Sequence, residues 1–580
     1  MRPSLSALVS QSFDVAIVGG GINGLAIAWD AAVRGLSVVL VERADFGSGA
    51  SHGCFRIAHG GLRYLQHFDL ARLRESVREQ RFLRLAAPHL VAPFPFLVPC
   101  YGFGMRGREM LRLGLSIYEA IGAERNSGLA PEVRLPAHRV LSATECLTWA
   151  PHLRGQGLRG GVVYYDCQLS TADRLTIEVA LAAVRAGACL RNYTAVVGVT
   201  AEDSTGGSKQ ISSLSIKDGL TGEEAEVRAK QFVFASGVAN ERLESLVHGA
   251  PLERSRAFSK GVQLLLPKII QDAAVALESS WSDPGAVVAR GNRSYFLVPW
   301  HGKTIAGTYD VAHRAHPDFY QITDQEIEQF VSELHSQYPH EALTSAAVCS
   351  VFGGLRPIDV TTENQGTPAV SRRDLVIDHR KQPAPRQIAN LITSEGVKYT
   401  TFRLIGEWVV DKIMVRLGKR VPSTTSSLTL PYADGEAPAR FMGFSEKPST
   451  IEYQFYLRSH FGAAASAIRQ LAGQHPRFSE QIVADHPAQW AELVYSFKHE
   501  LTGTLSDLFY RRSVLGALGL VTPEIIAECT EVLAIAEGWG REQQEAQLTL
   551  ALHESSPFMT RNVPVAAGQN IGTKGGDRRV

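Results

Sequence analysis

The sequence predicts an α/β protein (α+β overall) made of a discontinuous Rossmann-like nucleotide-binding domain, an antiparallel-sheet domain and a helical C-terminal domain. Three observations predict it. Residues 13–42 run in the order strand, glycine turn, helix, strand, acid. Two later apolar runs, 231–237 and 390–393, have the composition of strands that return to the same sheet. Beyond a Pro-, Ser- and Thr-rich stretch at 422–449, residues 450–552 carry helical patterning without a strand signal.

The first element is FDVAIV at 13–18, an apolar run that suits a buried strand. Gly19-Gly20-Gly21-Ile22-Asn23-Gly24 follows, a G-x-G-x-x-G. Residues 25–34 are helical, Gly35 ends the helix, and 36–41 form a second strand closed by Glu42. In such a unit one glycine turns the chain tightly, one admits a pyrophosphate to the backbone, and one lets helix pack on strand. The helix N-terminus presents free N–H groups and the positive end of its dipole to phosphate. Glu42 can accept hydrogen bonds from a ribose.

Residues 47–61 are rich in Gly, Ser and His and read as loop. Residues 69–85 carry alternating charge at helical spacing and predict an exposed helix. Residues 88–99 are extended and punctuated by proline. Residues 106–121 predict a basic helix with Met110, Leu111, Leu113, Leu115 and Ile117. A helix at 175–187 and a strand at 189–199 come next. Residues 212–217 and 224–230 predict a small hairpin, and QFVFASG at 231–237 a buried strand. Residues 262–266, 295–299 and 304–308 predict an antiparallel sheet that holds substrate. Residues 390–393 and a helix at 401–415 make the last return to the first domain.

The resulting boundaries are 1–95, 150–258 and 345–420 for the nucleotide domain and 96–149 with 259–344 for the substrate domain. A linker follows at 421–449 and a helical domain at 450–555. The polar, Gly-rich segment 556–580 predicts a disordered tail.

Composition narrows the function. A chain of 580 residues holds more than one domain. Lys and Arg number 59 against 58 Asp and Glu, so bulk charge gives no reason to expect a nucleic-acid partner. The seven cysteines form no C-x-x-C, which leaves no zinc knuckle or redox pair, and no metal is expected. Their number fits a reducing compartment. The first twelve residues are too short and too weakly apolar for a secretory signal. The most apolar run, 91–105, is broken by Pro93, Pro95 and Pro99, so no membrane span is expected. The expected location is cytoplasmic. The basic segment 106–121 offers an interfacial patch for peripheral contact with the cytoplasmic membrane, with an ordinary packed helix as the alternative.

The fingerprint alone does not choose between NAD and FAD. Its N-terminal position and the two later returns to the same domain favour FAD. No second G-x-G-x-x-G follows a strand, so reducing equivalents come from the substrate itself.

At HGGLRYLQH (59–67), read with GGGINGLAIAWDAAVRGLSVVLVE (19–42), the chain resembles the FAD-dependent glycerol-3-phosphate dehydrogenases of the aerobic type and their oxidase relatives. Further matches follow in order: Ala87-Pro88-His89-Leu90, Tyr164-Tyr165-Asp166-Cys167, FLVPW (296–300), GTYD (307–310), Gly354-Leu355-Arg356-Pro357, Ser371-Arg372 and KYTTFR (398–403). The likeness covers about residues 13–420 and extends to TLSDLFYRR (504–512) in the helical tail.

The resemblance implies oxidation of sn-glycerol 3-phosphate at C2 to dihydroxyacetone phosphate, with hydride transfer to flavin N5. Electrons then pass to a quinone in dehydrogenases or to oxygen in oxidases. It implies His59, Arg356 and Lys398 as catalytic residues, and Arg63, Tyr64, Arg356 and Arg372 around the substrate. It implies FAD contacts at Gly19, Gly21, Asn23, Gly24, Glu42, Arg43, Ser51, Val196, Ala235, Gly237, Gly354, Lys398, Thr400 and Thr401. The chemistry agrees. Arginine grips phosphate bidentately and keeps its charge. Histidine accepts a proton near neutral pH, though a purely hydrogen-bonding His59 is an equal alternative. Lysine stabilises a developing alkoxide or a reduced flavin anion. Thr400 and Thr401 are placed to cap the helix that follows.

Departures cluster near the cofactor. Only Ser51 remains of a Ser/Thr-rich stretch, Val397 stands for a glycine, and Tyr309 for a threonine. The alternatives are therefore a diverged oxidoreductase for another phosphorylated polyol or an amine, or a catalytically silent flavin-binding protein. A homodimer is the assembly entertained.

Overall fold

A computed structural model gives the fold and describes residues 2–9, 11–104, 107–204, 208–250, 258–282, 292–313, 320–357, 374–383, 386–434 and 448–553. Two sheets carry it. In the first, the Ser12–Val18 strand lies between Val38–Val41 and Glu224–Phe234, parallel to both. Cys189–Arg191 and Leu391–Glu395 extend the parallel array, and Leu375–Asp378 closes one edge antiparallel. Helices cover these strands, so Val38–Val41 is buried at every position and reads as one apolar run. The Ile22–Val33 helix packs between the Ala172–Arg185 and Phe402–Arg416 helices.

The Glu224–Phe234 strand serves three partners, the third being Leu391–Glu395, which pairs with its last three residues. Its first half alternates exposed and covered side chains and pairs antiparallel with Ser208–Asp218, which pairs with Thr194–Ser204. From Arg228 on it also runs parallel to Ser12–Val18, and its last three residues are buried. The two strands expected at 224–230 and 231–237 are thus one, because no turn residue interrupts them. The single strand expected at 189–199 is instead two, Cys189–Arg191 and Thr194–Ser204, broken where Tyr193 takes a left-handed φ of 51°.

The second sheet runs Ser350–Pro357, Phe258–Leu266, Lys303–His313, Asn292–Trp300, Ala274–Ser282, Val91–Cys100, Gly160–Leu169, Ile57–Ala58. The three strands expected at 262–308 are its antiparallel centre. Ile57–Ala58, Gly160–Leu169 and Ser350–Pro357 belong to it as well, although the expected boundaries put those segments with the nucleotide domain. The chain crosses between the sheets more often than its composition reveals.

The proline-rich strand Val91–Cys100 sits inside this sheet. Ser170 N–H bonds Leu90 O and Arg159 N–H bonds Cys100 O, so even-numbered residues face Gly160–Leu169. Pro93, Pro95 and Pro99 are all odd, and their missing N–H groups all point to the other side. There the parallel partner Ala274–Ser282 pairs only at Phe96 and Leu97.

Three further expectations change. The Leu70–Ala86 helix is not simply exposed: Glu79, Gln80 and Arg84 are buried. Glu79 pairs with Arg403, and Arg84 bonds the carbonyls of Arg125 and Val133. The first half of the 421–449 linker is clamped to the body. Ser423 and Thr425 bond Asp30, and Leu430 N–H bonds Ala86 O at 2.8 Å. The helical domain also contains a hairpin, Gln481–Val483 with His486–Gln489, whose strands are too short for a periodic signal. The segment 556–580 lies outside the described residues.

The helical domain docks through buried charge. Asp45, fully buried, accepts from the guanidinium groups of Arg511 and Arg512 and from Asn192 Nδ2 at 3.0 Å. Those arginines hold its carboxyl down at about 2 against the desolvation that opposes them. Arg174 grips Glu500 nearby, Nη2 to Oε1 at 2.8 Å. Asp45 lies three residues after Glu42, so the C-terminal helices brace the loop that follows the second strand.

Candidate active site

The glycine turn is required by space. Gly19 has φ +111°, and a Cβ there would lie 2.6 Å from Ala235 O. A Cβ on Gly24 would lie 1.9 Å from Gly19 O, so the helix start seats directly on the turn. Ala235 N–H bonds Val18 O at 2.8 Å, and Gly237 follows at φ +58°. Glu42 accepts from Gly20 N–H at 2.6 Å and Ala44 N–H at 2.9 Å. Burial pushes its carboxyl up, and these two N–H groups oppose the rise. Arg43 is exposed, and Val196 is half-buried beside this edge. Ser51 Oγ accepts from Ile22 N–H at 3.0 Å, so its hydroxyl serves the helix start itself.

Asn23 joins this turn to the segment after the last parallel strand. A Cβ on Gly396 would fall 1.8 Å from Asn23 Nδ2, and Asn23 Oδ1 is buried without a hydrogen-bond partner. A glycine cradle that any Cβ would fill, a helix N-terminus and an orphaned polar atom together fit an adenine dinucleotide.

A second group of side chains gathers around residues 397–401. His59 N–H bonds Thr400 Oγ1 at 3.2 Å, and the ring, 52 % exposed, has Nδ1 3.6 Å from Asp166 Oδ2. Lys398 Nζ stands 4.1 Å from the centre of the Tyr64 ring, an ammonium over an aromatic face. Asp374 ties the turn together, accepting from Val397 N–H at 2.7 Å and Thr401 Oγ1 at 3.1 Å. Burial lowers the Lys398 ammonium to about 8, with Asp374 resisting. Burial, helped by Asp374, lifts the Tyr64 phenol to about 12. Neither Thr400 nor Thr401 caps the Phe402–Arg416 helix with its side chain. Both hydroxyls are used sideways, on His59 and on Asp374.

Arg356 stands on the other sheet. Its guanidinium pairs with Asp310, which also accepts from Ser259 Oγ at 3.2 Å, and it covers Gly261. Gly354, two residues earlier, shares its strand face, and a Cβ there would lie 3.0 Å from Ala50 Cα. A Cβ on Gly53 would lie 2.0 Å from Gly353 O, and one on Gly307 2.7 Å from Phe55. The loop at 50–55 therefore spans from the helix start, through Ser51, to the face that carries Arg356. His59 meets Thr400, Tyr64 meets Lys398 and Thr401 meets Asp374, so these contacts converge on residues 398–401. Arg63 is exposed beside it, and Arg372 lies outside the described residues.

Sequence reasoning gave no role to three carboxylates, Asp166, Asp310 and Asp374. Asp310 and Asp166 sit inside matched motifs, GTYD and YYDC, and Asp374 follows Arg372-Arg373. A carboxylate inside or directly beside a matched motif was the available signal.

Residues 14–412 match the family described as FAD dependent oxidoreductase. Residues 423–544 match the C-terminal domain of alpha-glycerophosphate oxidase. A glycerol-3-phosphate dehydrogenase of Synechocystis sp. is 31 % identical over 93 % of this chain and 95 % of its own length. The mitochondrial glycerol-3-phosphate dehydrogenase of Arabidopsis thaliana is 28 % identical over 94 % of this chain and 86 % of its own. The solved glycerol-3-phosphate dehydrogenase of Bacillus halodurans, complexed with FAD, superposes with a TM-score of 0.68 at 22 % identity, over 95 % of this chain and 96 % of that one.

Proposed function

The chain belongs to the FAD-dependent oxidoreductases, as a glycerol-3-phosphate dehydrogenase-like enzyme, and from that premise we propose that it oxidises sn-glycerol 3-phosphate to dihydroxyacetone phosphate with a quinone as final electron acceptor. The observation that carries the reading is that His59 and Tyr64 each contact the turn at 397–401, at Thr400 and Lys398, next to Gly396 where it meets Asn23 of the glycine cradle. FAD when bound supplies a hydride acceptor. Its holders are Gly19, Gly21, Asn23, Gly24 and Glu42 at the dinucleotide end, with Ser51 supporting the helix start. Val196, Ala235, Gly237, Gly354, Thr400 and Thr401 would hold the cofactor elsewhere.

The remaining work falls to side chains. Arg63, Arg356 and Arg372 supply positive charge for the phosphate, and Tyr64 packs or bonds beside them. His59 takes the hydroxyl proton as C2–H is lost. Lys398, kept cationic by Asp374, holds the negative charge that grows on oxygen. Quinone access is supported by exposed apolar side chains on and around the Arg108–Ile121 helix, which packs on the Leu62–His67 turn. Phe68, Phe103, Leu113 and Ile117 are 63 %, 77 %, 54 % and 43 % exposed, with Arg112 exposed among them. Among the described residues no helix is long and apolar enough to cross a membrane. These exposed apolar side chains, with Arg112, suit contact with an anionic bilayer and so support peripheral attachment at the cytoplasmic membrane.

Anaerobic mixing tests the reading. sn-Glycerol 3-phosphate should bleach the flavin band of the holoenzyme, and glycerol should not. Bleaching only by another polyol phosphate or an amine would move the substrate assignment. A bound flavin that none of them reduces would end the catalytic reading.

A further inference from the structure

Asp166 is a buried carboxylate with no task in the chemistry above. It lies on the Gly160–Leu169 strand and is 3 % exposed. Its two oxygens are used differently. Oδ1 accepts from Gly60 N–H at 2.7 Å and from Gln80 Nε2 at 2.7 Å. Gln80 is itself fixed, fully buried and donating also to Ala58 O at 2.8 Å. Oδ2 faces the His59 ring, 3.6 Å from Nδ1. Tyr118 and Tyr164 close the pocket, and both phenols are pushed up by burial and then by the Asp166 charge. Gly60 must be glycine here, since a Cβ would fall 1.8 Å from the Tyr118 hydroxyl and 3.2 Å from Asp166 Oδ1.

Burying a carboxylate is costly unless it is hydrogen-bonded. Asp166 spends that cost on one segment: it anchors the backbone just after His59 and aims its second oxygen at the His59 ring. We propose that Asp166 is the positioning residue for His59, accepting Nδ1–H and so leaving the Nε2 lone pair as the one that meets substrate. An ionised carboxylate only accepts, so the nitrogen facing it must donate. A neutral imidazole has one N–H, and Nε2 is then the acceptor. At 3.6 Å the pair is an electrostatic contact at rest, which should shorten to a hydrogen bond as the ring gains a proton. Asn at 166 offers an amide N–H to Nδ1 and favours the opposite tautomer, with Nε2 protonated and no base toward substrate.

The inference rests on the reading of His59 as the base, and two readouts separate the two claims. The first is ¹⁵N NMR of histidine-labelled holoenzyme, with His59 assigned by a His59→Asn variant. Wild type should show a protonated Nδ1 and an unprotonated Nε2, and Asp166→Asn should show the reverse. This needs no substrate. The second is anaerobic flavin reduction by glycerol 3-phosphate. Asp166→Asn should keep its FAD and its substrate Kd within about threefold, yet lose roughly 100-fold or more in limiting rate. Its solvent deuterium isotope effect should rise, Asp166→Glu should recover part of the rate, and Asp166→Asn should add little on a His59→Asn background. A wild-type His59 protonated on Nε2, an unchanged rate in Asp166→Asn, or full additivity with His59→Asn would overturn the proposal. A wild type with the expected tautomer that glycerol 3-phosphate does not reduce would instead refute the substrate reading and leave Asp166 in its place.

Discussion

Replacing Asp374 by Asn removes one charge beside Lys398 and little else. Asn Oδ1 can still accept from Val397 N–H, and its amide can donate to Thr401 Oγ1, so the turn keeps both ties. Lys398 is cationic against resistance. Burial takes its ammonium from 10.5 to about 8, which corresponds to roughly 3 kcal/mol against the charged form. Of its charged neighbours Asp374 opposes this most, Glu75 and Asp69 act in the same sense, and Arg72 acts against them. A carboxylate close to an ammonium is worth about 1–3 pH units; the low end suits a partly solvated pair. If Lys398 works as the cation, the active form exists below its pKa and is lost as pH rises through it. The limiting rate of anaerobic flavin reduction should therefore fall on the basic side with a midpoint of about 8 in wild type. In Asp374→Asn the midpoint should be about one unit lower, and Glu75→Gln should shift it less, in the same direction. A basic limb that stays in place in Asp374→Asn, with FAD content intact, would refute the assignment of Lys398 as the cation.

Gly24→Ala puts a methyl 1.9 Å from Gly19 O, so it should cost about 1–3 kcal/mol and release FAD, read from the visible absorbance of the purified protein. Asp45 has its carboxyl lowered from 3.8 to about 2, so its contribution is complete above the higher value and is lost as pH falls through the lower one. Asp45→Asn should flatten that acid transition and lower stability by about 3–5 kcal/mol, measured by denaturant unfolding at pH 7. Arg356→Ala should reduce kcat/KM for glycerol 3-phosphate by about 100-fold, because a phosphate loses a charge-assisted partner; an unchanged value would remove Arg356 from the site. Leu113→Glu with Ile117→Glu should abolish cosedimentation with anionic vesicles while the flavin spectrum stays unchanged.

Local rules made much of the first domain legible. The glycine turn, the first helix and the parallel strands each follow from a pattern contained in a few neighbouring residues, and Gly19 and Gly24 meet the contacts that pattern demands. Sheet membership was harder to read. Gly160–Leu169 and Ser350–Pro357 are apolar runs that suit either sheet, and only their partners decide which. Side-chain partners at long range were not legible either. Asp374 meets residues 397 and 401, and Asp166 meets residues 59, 60 and 80, separations that no periodicity encodes. Thr400 shows the same limit. Its position before a helix suggested a cap, but a backbone N–H from residue 59 takes its hydroxyl. The charges on Leu70–Ala86 looked solvated because their partners, Arg403 for Glu79 among them, lie far along the chain.

A crystal structure of the holoenzyme with dihydroxyacetone phosphate tests the central claim most directly. The diphosphate of FAD should rest over Gly19–Gly24, with the ligand's carbonyl oxygen between His59 Nε2 and Lys398 Nζ and its phosphate against arginine. A flavin ring remote from residue 398, or a phosphate held away from Arg63, Arg356 and Arg372 alike, would contradict it.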